Sequence, residues 1–477
     1  MFPAARTLAS LTALAVCVSG CTTLGPDFKV PAAANSPGYA MAGDPTPTGL
    51  QQAEVAADAA PWWRDYGSAA LDQVIQLAFD NNPTVAEVKA TLERAQAEAA
   101  ATTGARLPQV DLNGGARRAR INTKTLGFTG IPPRTLDLYS VGAQVSYDLD
   151  LFGGARRSAE RDQARTNARA READVAYLTL AGNVAGQAMR IAALRAQIAA
   201  TEAIVADDRQ IYTMLRQADA VGGKPRTAGA GALAELLQDQ ATLPPLRQEL
   251  ALARHQLALL VGRSPAEWTA PDFDMANVKP PKDIPISLPS SLLRRRPDIL
   301  AAEAELHAAT AAIGLAAANR YPDLRLTASL TQTATNPADL FGYSASSWNL
   351  VSGLTAPVFN GGALKARQAA AEAEARAAMA RYQQTVLRAF VQVSDTLAAL
   401  GADEQEMTVL RLAELAATTS ERDAQSAYAM GGIAQIEVVE NQRTVHRVRA
   451  LIVQAEGQHL LNLVKLNAAM AAEWRLR

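Results

Sequence analysis

Apolar and polar positions alternate without a break from Tyr139 to Leu151. Tyr139, Val141, Ala143, Val145, Tyr147, Leu149 and Leu151 share one parity, and Ser140, Gln144, Ser146, Asp148 and Asp150 lie between them. A period of two is that of an extended strand. An alternation this long, with aromatic residues in the apolar set and acids on the other face, suits a membrane-spanning strand that lines water. A half-exposed strand of a soluble sheet has the same pattern, so the rest of the chain has to decide. The strand runs into Phe152-Gly153-Gly154, and from Ala155 to about Asp219 the chain lacks proline and is dominated by Ala, Arg, Gln and Glu, the strongest helix formers. At 1.5 Å per residue such a helix is roughly 100 Å long, far beyond the ~30 Å core of a bilayer.

The pattern is written twice. Leu71 to Phe79 is a short amphipathic helix stopped at Asn81-Asn82-Pro83. From Pro83 a second helix, marked by Val85, Val88, Leu92, Ala95 and Ala99, runs to Gly104, and Pro108 then opens a strand. Pro297, with Ile299, Ala302, Leu306, Ala309 and Ile313 behind it, and then Pro322 repeat this at an offset of 214. Val110, Leu112, Gly114 and Ala116 match Leu324, Leu326, Ala328 and Leu330 at the same offset. Val141, Ala143, Tyr147, Leu149 and Leu151 fall on Trp348, Leu350, Leu354, Ala356 and Val358 at 207. Both apolar faces stay in phase, as a structural repeat requires.

Phe359-Asn360-Gly361-Gly362 answers Phe152-Gly153-Gly154, and a second proline-free helix runs from Ala363 to about Met430. Small residues recur along both long helices with sparse Leu, Ile and Val, which favours close packing against neighbours over a free-standing Leu-heptad coiled coil. Each long helix stops at glycines and a return helix follows. Gly431 to Gln442 matches Gly229 to Gln240 at an offset of 202, which makes the first turn six residues longer, in Val221 to Arg226. The first return helix is expected to break at Pro244-Pro245 and reach Leu260, and the second to run to about Ala472.

Arg6 precedes the apolar segment Leu8 to Val18, which is too short to span a bilayer and is patterned as a signal-peptide core. It ends in Val18-Ser19-Gly20-Cys21, which resembles the lipobox of bacterial lipoproteins. That resemblance implies cleavage before Cys21 and acyl chains on this residue, and Thr22 in place of Asp implies sorting to the outer membrane. Several chains anchor firmly, at roughly 0.8 kcal/mol per buried CH₂. The only other cysteine, Cys17, leaves with the signal, so the mature chain has no internal disulfide. The resulting division is a signal peptide at 1–20 and a lipidated extended tether at 21–61. A first repeat at 62–261 holds a hairpin at about 108–151 and a long helix at about 155–219. A proline-rich linker or belt follows at 262–289. The second repeat, at 290–477, has its hairpin at about 322–359 and its long helix at about 363–430.

Composition removes several function classes. Among 477 residues, 46 basic side chains against 47 acidic ones leave no net basic field for nucleic acid. His255, His307, His446 and His459 stand singly on helices without metal-type spacing and read as surface or packing residues. No phosphate loop or nucleophile elbow occurs, so neither an enzyme, a metal nor a cofactor is expected beyond the covalent lipid. Trp62-Trp63 reads as a packing anchor. Arg117, Arg118 and Arg120 suit anionic lipopolysaccharide or the exit of a pore, and equally a plain loop.

Two strands from each half give four per chain, and four strands cannot close, while open edges are not tolerated in lipid. Two copies would give eight strands with a filled interior, whereas three give twelve and a lumen. Several motifs occur in order: the lipobox, Trp62-Trp63, Leu292-Leu-Arg-Arg-Arg-Pro-Asp298, Asp148-Leu-Asp-Leu-Phe-Gly153, Ala356-Pro-Val-Phe-Asn-Gly-Gly362 and Tyr428-Ala-Met-Gly431. Together they resemble the outer-membrane factors of tripartite efflux pumps, in particular the lipoprotein branch of the TolC-like channels. The resemblance covers essentially all of the mature chain. It implies a mixed α and β fold that forms a homotrimer, with a 12-stranded β-barrel of four strands per protomer continuing into a long periplasmic α-helical barrel. The implied function is a passive outer-membrane conduit that takes cargo from an inner-membrane transporter through a periplasmic adaptor.

The resemblance also implies a gate at the turns between long and return helices. Carried over by motif, the aperture residues are Glu437, Glu440, the first-half counterpart Glu235, and Tyr428, with Gly431, Gly432 and Gly229 as the turn glycines. Three copies of each carboxylate about an axis would repel one another and attract cations, and the Tyr428 hydroxyl would bond to Glu235. Ile433 and Ala434 stand where such proteins often carry a basic residue, so the latch is either weaker or served by Lys224 and Arg226. A solvated helix face is the plainer reading of these acids. The competing function is a non-conducting, envelope-spanning structural lipoprotein, which would not need four membrane-ready strands.

Overall fold

The computed structural model of the chain describes residues 23–32, 38–48, 50–52, 61–122, 130, 132–281, 284–286 and 289–471. The signal peptide, Cys21, part of the tether and most of the first hairpin loop lie outside these residues. In chain order the strands are β1 (Leu50–Gln52), β2 (Gln109–Ile121), β3 (Arg134–Leu149), β4 (Ile284–Ile286), β5 (Asp323–Ala334) and β6 (Ser346–Thr355). The helices are α1 (Ala69–Asn81), α2 (Pro83–Gly104), α3 (Gly154–Ala220), α4 (Arg226–Val261), α5 (Pro289–Arg295), α6 (Pro297–Ala318), α7 (Ala363–Ala429) and α8 (Gln435–Ala469). The succession α2, β2, β3, α3, α4 is followed by α6, β5, β6, α7, α8, and α3 and α7 each have 67 residues. Two compact units result: Met1–Pro31 with Thr91–Arg169 and Ala301–Tyr382, and Ala32–Ala90 with Ala170–Leu300 and Gln383–Arg477.

The first unit carries one antiparallel sheet in the order β2-β3-β5-β6. Its register lines up the two alternations found in the sequence. Val110, Val145 and Ala328 share a row with Leu350, and Leu112, Ala143 and Leu330 share the next with Trp348. The parity between them holds Asp111, Gln144 and Ser329 with Asn349. Over these rows one face is thus apolar across all four strands and the other polar, as period-two side chains in register must be. On the apolar face Leu112 and Trp348 stay about four-fifths exposed. On the polar face Asp148 and Arg325 stand opposite each other and pair at 2.8 Å. Strands β2 and β6 each keep one edge without a partner strand among the described residues.

Strand β3 stops at Leu149, short of the expected Leu151, because Asp150 leaves the ladder to cap α3. Its two carboxylate oxygens accept from the amides of Ala155 and Arg156 at 3.0 and 2.9 Å, which satisfies donors that every helix start leaves open. Gly153, at φ +76°, makes the turn. Helices α2 and α3 are stitched by Thr102 donating to Asp162 at 2.8 Å and Thr166 donating to the Ala95 carbonyl at 3.1 Å.

In the second unit small residues set the helix spacing. A Cβ on Gly457 of α8 would lie 2.6 Å from the Ala193 methyl of α3, so these helices approach as closely as two side chains permit. Around them Val184, Met189, Ile191, Leu400 and Leu466 are buried. Arg296, in the motif before Pro297, is buried and ties three places together. It donates to the Asp298 carboxylate, to Gln392 Oε1 at 2.8 Å and to the Ala469 carbonyl at 2.9 Å, which caps the end of α8. Trp62 and Trp63 are buried on a 3-10 turn, with Trp63 Nε1 donating to Asp72 at 2.8 Å. The tether follows α7: Ser394 donates to the Tyr39 carbonyl, Glu404 accepts from the Thr48 amide, and Gly401 leaves room for Pro45. Strand β1 then pairs in parallel with β4.

One expected break does not occur. Helix α4 runs unbroken from Arg226 to Val261 through Pro244 and Pro245. The prolines remove two donors, but Leu236 and Leu243 are packed with Val205 and hold the helix on course.

Candidate functional site

The turns between long and return helices are built alike. At the end of α7, Gly431 takes φ +75°, its amide donates to the Tyr428 carbonyl and that of Gly432 donates to Ala427 at 2.8 Å. At the end of α3, Gly222 takes φ +73°, its amide donates to Asp219 and that of Gly223 donates to Ala218 at 2.8 Å. A left-handed glycine with these back-bonds closes the orphan carbonyls of a helix end. Five residues separate the helices in each turn, 221–225 and 430–434.

This corrects the assignment of Gly229, which is the fourth residue of α4 and makes no turn. The stop belongs to Gly222 and Gly223, and the first turn carries no extra length. It also moves Glu235, which is the tenth residue of α4, whereas Glu437 is the third of α8. At 1.5 Å per residue Glu235 therefore sits ~10 Å farther into its helix than Glu437 does. Glu437, Glu440 and Tyr428 are exposed beside the second turn, and Lys224 and Arg226 beside the first. Among the described residues none of these five belongs to an ion pair.

Glu235 instead joins a cluster between α3, α4 and α8 that the sequence reading missed. Its oxygens accept from Arg443 at 2.9 Å and Arg447 at 2.8 Å, and among the described residues no bond joins it to Tyr428. Arg443 also holds Asp208 at 3.0 Å, Arg447 holds Asp239 at 3.1 Å, and His446 Nδ1 lies 2.5 Å from the Asp207 carboxylate. His446 is thus no plain surface histidine. Asp207 and Asp208 are buried, and Asp208 Oδ2 and Arg443 Nε have no hydrogen-bond partner among the described residues. Burial, together with the neighbouring Asp239 carboxylate, pushes Asp208 above the usual carboxylate range despite Arg443. The Arg447 hydrogen bond, with Arg443 behind it, outweighs partial burial and holds Glu235 below that range. Removing Arg443 would leave the buried Asp208 unpaired, and its bonds to Asp208 and Glu235 pin both return helices to α3.

His307 and His459 also face carboxylates. His307 Nε2 is 2.9 Å from Glu160, and His459 Nδ1 is 3.6 Å from Asp403. Arg118 lies 3.6 Å from Asp137 across the β2–β3 ladder.

An amphiphilic open-edged sheet joined to 67-residue helices defines an outer-membrane channel subunit. The chain belongs to the outer membrane efflux protein family, whose profile matches residues 74–263 and 288–472, and its place is the outer membrane. It is 26% identical over 458 residues to the probable outer membrane lipoprotein SilC of Salmonella typhimurium, covering 96% of each chain. It is 29% identical over 430 residues to the pyoverdine export outer membrane protein OpmQ of Pseudomonas aeruginosa, covering 88% of this chain and 89% of that protein. The solved outer-membrane channel OprN superposes with a TM-score of 0.83 at 24% identity, over 95% of this chain and 99% of that one.

Proposed function

We propose that the chain is one third of a passive export conduit, a homotrimer whose twelve strands close a barrel and whose long and return helices continue as a periplasmic tube. The carrying observation is the four-stranded sheet with one apolar face, one polar face and two free edges. Free edges must be paired in lipid, and three copies are the fewest that close around a lumen. In this reading residues 62–261 and 290–477 are two copies of one unit, with the 262–289 belt between them and the tether of 21–61 acylated at Cys21. Cargo arrives from an inner-membrane transporter through a periplasmic adaptor. Export of pyoverdine, as in the name of one relative, and of metal ions or drugs are all compatible with such a tube. The inner opening is gated at the two helix turns, with Glu437 and Glu440 ringing the aperture and the Arg443–Arg447 cluster holding the return helices behind it. The purified protein reconstituted in planar bilayers should conduct, and Glu437→Ala should lower cation selectivity in single-channel recordings. Absence of conductance would favour a structural tether, and unchanged selectivity would remove Glu437 from the aperture.

A further inference from the structure

The segment directly behind Cys21 is gripped by a buried arginine. Arg157, on the first turn of α3, is 3% exposed. Its Nε donates to the Leu24 carbonyl at 3.0 Å, and Nη2 donates to the Gly25 carbonyl at 3.2 Å and to Asp27 Oδ1 at 2.8 Å. Among the described residues one side-chain bond goes to its own helix, from Nη1 to Glu160 at 2.8 Å. A buried guanidinium is costly unless its donors are met, and three of these four acceptors come from residues 24–27. Burial works against the charge, yet the bonds to Glu160 and Asp27 prevail and raise the guanidinium pKa.

The fit extends beyond the arginine. Leu24 donates its amide to the Phe152 carbonyl at 3.2 Å, and Thr23 lies against Gly153, where a Cβ would come within 2.8 Å of it. Gly25, at φ +88°, leaves no room for a side chain, since its Cβ would lie 2.4 Å from Gly314 Cα on α6. Phe28 stacks on His307 at 4.4 Å and 11°, and Glu160 holds both His307 and Arg157. Thr23 to Phe28 therefore occupies a shaped receptor at the junction of β3 and α3. Thr22 alone separates Thr23 from Cys21 in the sequence, a reach of at most about 7 Å over two chain steps.

We propose that Arg157 is a positioning residue that seats residues 23–28 on this elbow, so that the acyl anchor acts on the base of the sheet through a short link and not through a slack tether. This rests on acylation at Cys21, checked beforehand by mass spectrometry of the mature protein, and not on conduction.

The test lengthens the link without touching the receptor. A six-residue Gly-Ser insertion between Thr22 and Thr23 frees the anchor from the clasp, and the same insertion after Ala32 leaves the link intact. The readout is the fraction of outer-membrane protein recovered as an SDS-resistant oligomer. The first insertion should lower it severalfold, and the second should leave it at the wild-type level. Equal outcomes for the two insertions would overturn the proposal. Arg157→Met and Asp27→Asn supply the second arm, with hydrogen exchange of residues 23–28 measured on the full protein in detergent. Exchange should speed by about tenfold or more in Arg157→Met and less in Asp27→Asn, whose carboxylate is exposed. Arg157→Met should also lower oligomer recovery in the acylated protein. It should have no further effect on a Cys21→Ser protein exported by an ordinary cleavable signal. An equal loss with and without the acyl group would make Arg157 a general fold stabiliser and would sink the positioning role.

Discussion

The charged residues that matter most were the least visible in the chain. Asp207, Asp208, Glu235, Asp239, Arg443, His446 and Arg447 lie up to 240 residues apart, each on a helix where charge is ordinary, and only packing brings them together. Their energies should differ with burial. Arg443→Ala strands the buried Asp208 and should cost roughly 3–5 kcal/mol, read as a lower thermal midpoint. Arg447→Ala breaks more exposed pairs and should cost under about 1 kcal/mol. The two perturbed carboxyls should titrate in opposite senses. Glu235, held low, contributes stability above its ordinary pKa of about 4.3 that is lost as pH falls through its folded value. Glu235→Gln should therefore destabilise at pH 7, with the difference closing in acid. Asp208, held high, contributes stability below about 3.9 that is lost as pH rises through its folded value. Asp208→Asn should therefore raise the thermal midpoint relative to wild type between pH 4 and 7. Thermal scans across that range decide both.

Elements were far more legible than side chains. A proline-free run of Ala, Arg, Glu and Gln can hardly be anything but helix, and both long helices ended within a residue of where their composition changed. The first turn was misplaced because likeness to the second copy favoured Gly229, whereas a helix stops where a glycine can turn left-handed and its carbonyls find donors, at Gly222. The two glycines should then respond oppositely to alanine. Gly222→Ala forces a side chain into the left-handed region at a cost of about 1 kcal/mol, while Gly229→Ala should gain about 0.5–1 kcal/mol inside a helix. Denaturant midpoints for the pair test the corrected turn. Pro244 and Pro245 misled for a related reason: local chemistry argued for a break that the packing of Leu236 and Leu243 overrode.

For the whole molecule, the in-phase alternation was enough to anticipate a two-faced wall, since register carries parity from strand to strand. Each face should therefore tolerate charge differently. Leu350→Lys, on the apolar face, should cost up to about 2–4 kcal/mol in a bilayer and lower the yield of heat-stable oligomer, whereas Ser329→Lys on the polar face should assemble normally. The free margins of β2 and β6 carry a further consequence for the cell. In the proposed trimer each polypeptide is, until its sisters arrive, a reactive fragment that must be shielded in transit, and the ring would complete only as fast as fragments meet. A variant with one margin blocked would still join on the other side, so a minority of defective chains would poison the healthy ones, and the mutant allele would be dominant.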